Sequence, residues 1–235
     1  MTMFVSAVTL ALAGAAVASP MARDVVPNYP PKQTSVGFQL VVNVTDPSRD
    51  LNPSIHNTYL TSIHVGAGLG LVSQSDNKDY GRILYANGTA SEIRFGNGHV
   101  LSDAGYIVEG LGLQAEESSP IKASHVTLNG GSGDQLGLRH FPVPYAYMYP
   151  DTYYACREPV AYYGGKEYVL IKNAPVPWDG TIDTTVPEGC APVTLVPQCA
   201  EMTALPEGSN ISHEFAAVSE CYPDVAGLDW TQYGP

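Results

Sequence analysis

Residues 64–70 read HVGAGLG, with Gly66, Gly68 and Gly70 alternating behind the apolar run TSIHV. Glycines after a strand can cradle a phosphate, but a dinucleotide site needs G-x-G-x-x-G at the opening of a helix. Here the third glycine comes one position early, residue 71 is Leu, and LVSQSDNKDYGRILYANG reads as turn and strand. Without a helix N-terminus there is no dipole to hold an anion. The glycines are expected to mark a bend or bulge where strands pack closely. His213-Glu214-Phe215-Ala216-Ala217 opens like the zinc motif H-E-x-x-H, but the second imidazole position is Ala217, so the paired ligands on one helical face are lacking. Asp76-Asn77-Lys78-Asp79-Tyr80-Gly81 starts like an EF-hand loop. Its third and fifth positions are Lys78 and Tyr80, and its twelfth is Asn87, which leaves a polar turn. Gly130-Gly131-Ser132-Gly133-Asp134 misses G-x-S-x-G and reads as a hairpin tip. His56, His64, His99, His125, His140 and His213 form no ligand cluster in sequence. No catalytic group, metal or cofactor is expected.

Tyrosine is the one anomaly of composition. Tyr145, Tyr147, Tyr149, Tyr153, Tyr154, Tyr162, Tyr163 and Tyr168 crowd together, with Trp178 just beyond. The alternation of Tyr145, Tyr147 and Tyr149 places them on one face of a strand. Exposed rings in a row can stack on sugars while their hydroxyls form hydrogen bonds. Tyrosine is also simply a good strand residue, half-buried at the rim of a sandwich. Tyr145, Tyr147, Tyr149 and Trp178 are the candidate glycan-stacking residues.

The chain that must position these groups begins MTMFVSAVTLALAGAAVASP, uncharged from Met3 to Ala18 and ending in the A-x-A pattern Ala16-Val17-Ala18. Residues 1–18 are expected to be a secretory signal peptide. Residues 19–35, with four prolines between Ser19 and Thr34, read as a flexible lead-in. Residues 36–235 read as one folded domain. Oxidising surroundings suit the even set Cys156, Cys190, Cys199 and Cys221. An extended segment between Cys190 and Cys199 would hold them roughly 30 Å apart, whereas a disulfide needs Cα atoms within about 7 Å. Each is therefore expected to pair with Cys156 or Cys221, in an order the sequence does not set. Secretion also gives meaning to the sequons at Asn43, Asn87 and Asn210; Asn52-Pro53-Ser54 is excluded by its proline. The net charge of −12 argues against nucleic acid and anionic lipid as partners.

Strand signals dominate the domain. Phe38, Leu40, Val42 and Val44 alternate with Gln39 and Asn43, which puts the Asn43 sequon on the solvent face of a half-buried strand. Asn-Gly at 87–88, 97–98 and 129–130 favours hairpin turns, and GRILYA-NG-TASEIRF reads as a first hairpin. SHVTL, EYVLI (167–171) and APVTLV (191–196) are further strands. FAAVSE (215–220) and VAGLDW could hold short helices. The fold class expected is all-β, a single β-sandwich or barrel-like domain of short antiparallel strands with two disulfides.

GFQLVVNVTDPSRDLNPSIHNTYLTSIHVGAGLG (37–70) resembles the opening of an uncharacterised family of small secreted fungal proteins, a domain of unknown function. YYACREPVAYYGGKEYVL (153–170), EGCAPVTLVPQCAEM (188–202) and SHEFAAVSECY (212–222) resemble its cysteine-bearing end. The resemblance implies a fungal secreted protein and brings no catalytic residues. The function expected is that of a non-enzymatic secreted glycoprotein, cell-wall-associated or effector-like, meeting a cell-wall polysaccharide or a host protein. A lectin-like module built on the tyrosine face is the alternative. An extracellular hydrolase whose carboxylates assemble only in three dimensions is the second alternative.

Overall fold

The computed structural model describes residues 27–117, 119, 121–134, 136–138, 144–175 and 186–234. Its strands are β1 (Gln33–Ser35), β2 (Gly37–Val44), β3 (Tyr59–Gly66), β4 (Leu69–Ser75), β5 (Leu84–Asn87), β6 (His99–Ala104), β7 (Ile107–Ala115) and β8 (Ser124–Gly130). They continue as β9 (Gly137–Leu138), β10 (Met148–Tyr149), β11 (Tyr153–Val160), β12 (Lys166–Asn173), β13 (Cys190–Ala200), β14 (Ala216–Ala217) and β15 (Ser219–Cys221). The main antiparallel ladder runs β12-β11-β13-β2-β3-β4-β8-β7-β6-β5-β14. It closes on itself, because β12 also pairs with β8 and β2 also pairs with β5. Closure satisfies backbone groups that an open sheet would leave at its edges. The fold is thus all-β and barrel-like, as the alternating apolar patterns predict.

The interior follows from those patterns. Phe38, Leu40, Val42 and Val44 of β2 point inward with Val193 and Leu195 of β13, Ala155 of β11 and Ile171 of β12. The outer face of β2 is not left to solvent. Val41 packs under Tyr222 and Val225, joined by Val196 and Ala146. The covering segment, residues 221–230, forms a C-terminal strap. It is tied to β13 by Cys199 N–H to Tyr222 O, Tyr222 N–H to Pro197 O, and Val225 N–H to the Gln198 side chain. Gln39, expected on the solvent face, is 5% exposed, and its amide donates to the Lys78 and Gly81 carbonyls.

Both disulfides use β13. Cys156–Cys190 joins residues directly opposite in the β11–β13 register. Cys199–Cys221 ties the other end of β13 to β15. Pro192 and Pro197 do not fold the strand back, so its two cysteines stay apart and find separate partners.

Three local expectations are corrected. Asn87-Gly88 does not turn a hairpin. Thr89 caps the short helix α1 (Ala90–Arg94) in a reciprocal box with Glu92, and β5 pairs with β6 instead. The S/T-x-x-E signature in TASE outweighs the turn preference of the dipeptide. FAAVSE is no helix: its residues form β14 and β15, paired with β5 and β1. The described end of the lead-in is docked, since β1 pairs with β15 and Lys32 bonds Glu220 at 2.6 Å.

Candidate functional site

The glycine loop is structural. It is the tip of the β3–β4 hairpin, where the register shifts between His64 and Gly66. Gly68 adopts φ +68°, a conformation that favours glycine. A Cβ on Gly70 would stand 2.8 Å from the Leu128 carbonyl oxygen, so close contact with β8 demands glycine there. The tip is pinned by Gly130 N–H to Gly68 O at 2.8 Å and Gly70 N–H to the Asn129 side chain at 3.0 Å.

Charged side chains gather in two places. Lys172, with a side chain 5% exposed, bonds Glu116 at 2.7 Å and also Glu158. His125 lies beside them, and its Nδ1 is buried with no partner among the described residues. The Lys172 ammonium already stands between the carboxylates, where a cation would compete with it. Burial, with help from that ammonium, lowers the His125 pKa below its ordinary value. The unfolded chain protonates this ring below about pH 6.5 while the native chain resists. The unfolded state then binds more protons, so native stability is expected to fall as pH drops from 7 to 5. His125→Gln is expected to flatten that slope, as urea midpoints at the two pH values would reveal. In the second cluster, His213 Nε2 meets Asp103 at 2.8 Å and Tyr85 donates to the same carboxylate at 3.1 Å. This anchors residues 201–218 against β6. Neither histidine has a hydroxyl or thiol partner among the described residues.

The tyrosine row behaves differently. Only Met148–Tyr149 of this row is strand, so the three tyrosines do not share one strand face; Ala146 and Met148 are buried, and Tyr145 and Tyr147 are half-buried. Tyr149 is 46% exposed. Tyr145 and Tyr147 line a recess of about 340 Å³ whose other walls include Trp230, Asn43, Thr194 and Asp151. Trp230 belongs to the strap and packs edge-on against Tyr222. Tyr29 packs edge-on against Tyr145. An adjoining recess of about 370 Å³ shares Asp151 and Thr194. Trp178, the tryptophan singled out from sequence, lies outside the described residues. Trp230, which sequence proximity could not suggest, supplies the indole. Tyr153 and Tyr154 are buried. Tyr162, Tyr163 and Tyr168 instead form a ring ladder with His64, centroids 5.0–5.4 Å apart. Two of the sequon asparagines, Asn43 and Asn87, are half-buried in strands, and Asn210 is exposed.

Fold, disulfides and recess together define a disulfide-bonded all-β protein with an aromatic-walled surface recess. Residues 35–199 match the domain of unknown function DUF7907, and the chain belongs to that family. It is 48% identical over 225 residues to Antigenic protein SchS34 of the fungus Stachybotrys chartarum, covering 93% of this chain and 100% of that protein. No solved structure matches.

Proposed function

We propose that the chain is a secreted, non-enzymatic fungal protein that recognises a short saccharide in the recess between Tyr145, Tyr147 and Trp230. The recess itself carries the reading. Its aromatic walls offer apolar faces to a sugar ring, while Asn43, Thr194 and Asp151 set polar groups among them. Its volume is near the low end of the roughly 300–1,000 Å³ typical of ligand pockets, which suits a short saccharide. The net charge of −12 favours a neutral ligand over nucleic acid or an anionic membrane surface. An extracellular location is consistent with the two disulfides and with a relative named for its antigenicity.

The test is binding of the folded protein, produced without N-glycans, to chitin, β-glucan, mannan, cellulose and arrayed soluble glycans. Retention on one of them, lost in Tyr147→Ala with an unchanged melting temperature, is the expected result. Absence of binding across the panel by a protein with a cooperative melt would reject the recess as a saccharide site.

A second reading rests on the ring ladder. Tyr162 is 57% exposed and Leu69, on the neighbouring hairpin, 50%; such rings serve as anchors in protein interfaces. A host protein captured by the wild type but not by Tyr162→Ala/Tyr163→Ala would favour it.

A further inference from the structure

Asn43 is both a sequon asparagine and a wall of the recess. Strand alternation explains the coincidence. Val42 and Val44 enter the core, so Asn43 faces outward with its register partner Thr194. The strap covers the outer face of β2 at Val41 and reaches the recess at Trp230. The Asn43 amide makes no side-chain hydrogen bond among the described residues. Neither Asn87 nor Asn210 lines this recess.

We propose that the recess takes the chitobiose core of a glycan carried by Asn43 itself, so that modification at this sequon closes the saccharide site. The inference rests on the saccharide reading above and narrows it. An N-linked glycan begins with chitobiose, which is also the repeating unit of chitin. A recess shaped for one accepts the other, and the glycan attached to its wall arrives at a far higher effective concentration than any free sugar. The site then has two states. With Asn43 modified it is filled from within, and with Asn43 bare it is open to chito-oligosaccharide.

The experiment uses the full chain secreted from a glycosylating eukaryotic host, with occupancy at each sequon read by glycopeptide mass spectrometry. Native protein is treated with peptide N-glycosidase. Release from Asn43 is expected to be roughly tenfold slower than from Asn210, equivalent to about 1.4 kcal/mol of docking. Tyr147→Ala is expected to remove the difference while Asn210 is released as before. An unmodified Asn43 in the secreted protein, or equal release from both sites, would overturn the proposal. Chitotriose binding separates the two readings. Binding by Thr45→Ala, which removes the sequon and leaves the Asn43 amide in the recess, but not by the glycosylated wild type supports both. Equal binding by the two forms leaves the saccharide site standing and rejects its closure by the glycan. Slow release that Tyr147→Ala relieves, without chitotriose binding by either form, supports glycan docking and rejects recognition of an outside sugar.

Discussion

Gly110→Ala is expected to prevent the chain from reaching its native fold in useful yield. Gly110 sits on β7, opposite Leu101 of β6 and Asn129 of β8. After β8 the chain bonds to one edge of β7, Gly131 N–H to Val108 O, and then to the other, Asp134 N–H to Leu111 O. Between these bonds it must cross the face of β7, and the crossing falls on Gly110. An alanine Cβ there would overlap the Ser132–Gly133 peptide. That obstacle is backbone, held at both ends, so it cannot swing aside as a side chain would. The cost is expected to reach at least the roughly 3 kcal/mol at the upper end of ordinary overpacking. Total stability for a domain is only about 5–15 kcal/mol. Gly137→Ala is the control, since nothing lies within 4 Å of its added Cβ. Secreted yield and melting temperature of the two variants give the comparison. A Gly110→Ala protein as stable as Gly137→Ala would mean that the crossing is wrongly placed.

Removing the Cys199–Cys221 disulfide is expected to cost about 3 kcal/mol, the entropic value for a loop of this size, the two cysteines being 22 residues apart. Where the loss appears matters more than its size. This bond fixes the root of the strap, whose Tyr222 is fully buried and accepts a hydrogen bond from Ala146 N–H at 3.0 Å. In Cys199→Ser/Cys221→Ser, amides from Tyr222 to Leu228 are expected to exchange hydrogen faster than the barrel strands. The recess loses its Trp230 wall with them, so saccharide binding should weaken before the fold melts. Cys156→Ser/Cys190→Ser should lose comparable stability yet keep the recess, because β11 and β13 remain paired through their backbones. Uniform exchange across strap and barrel in the first variant would refute the separate role given to the strap.

Much of this architecture is legible in short stretches of sequence. The alternation from Phe38 to Val44 defines the inward face of β2 because a strand repeats every second residue. The extended run from Cys190 to Cys199 separates those cysteines whatever lies around them. Gly66, Gly68 and Gly70 announce a tight hairpin tip, and no helix follows to make a phosphate site of it. The other features depend on contacts distant in sequence. Gln39 reads as exposed because alternation says nothing of the loop that covers it. Asn87-Gly88 reads as a hairpin turn because the dipeptide is considered alone, whereas the capping box of Thr89 with Glu92 starts a helix there. The recess combines Asn43, Tyr147 and Trp230 from three separate regions, so the tyrosine row shows two of its three aromatic residues, Tyr145 and Tyr147, and not Trp230.

The position of β13 between two covalent links bears on how the protein survives attack by proteases. One link closes the stretch from Cys156 to Cys190, and the other closes that from Cys199 to Cys221. A single cut between the members of either pair severs the main chain but frees no fragment. The nicked molecule would migrate as one piece on a non-reducing gel and separate only after thiol treatment. A cut in these stretches therefore leaves the two parts of the chain covalently joined.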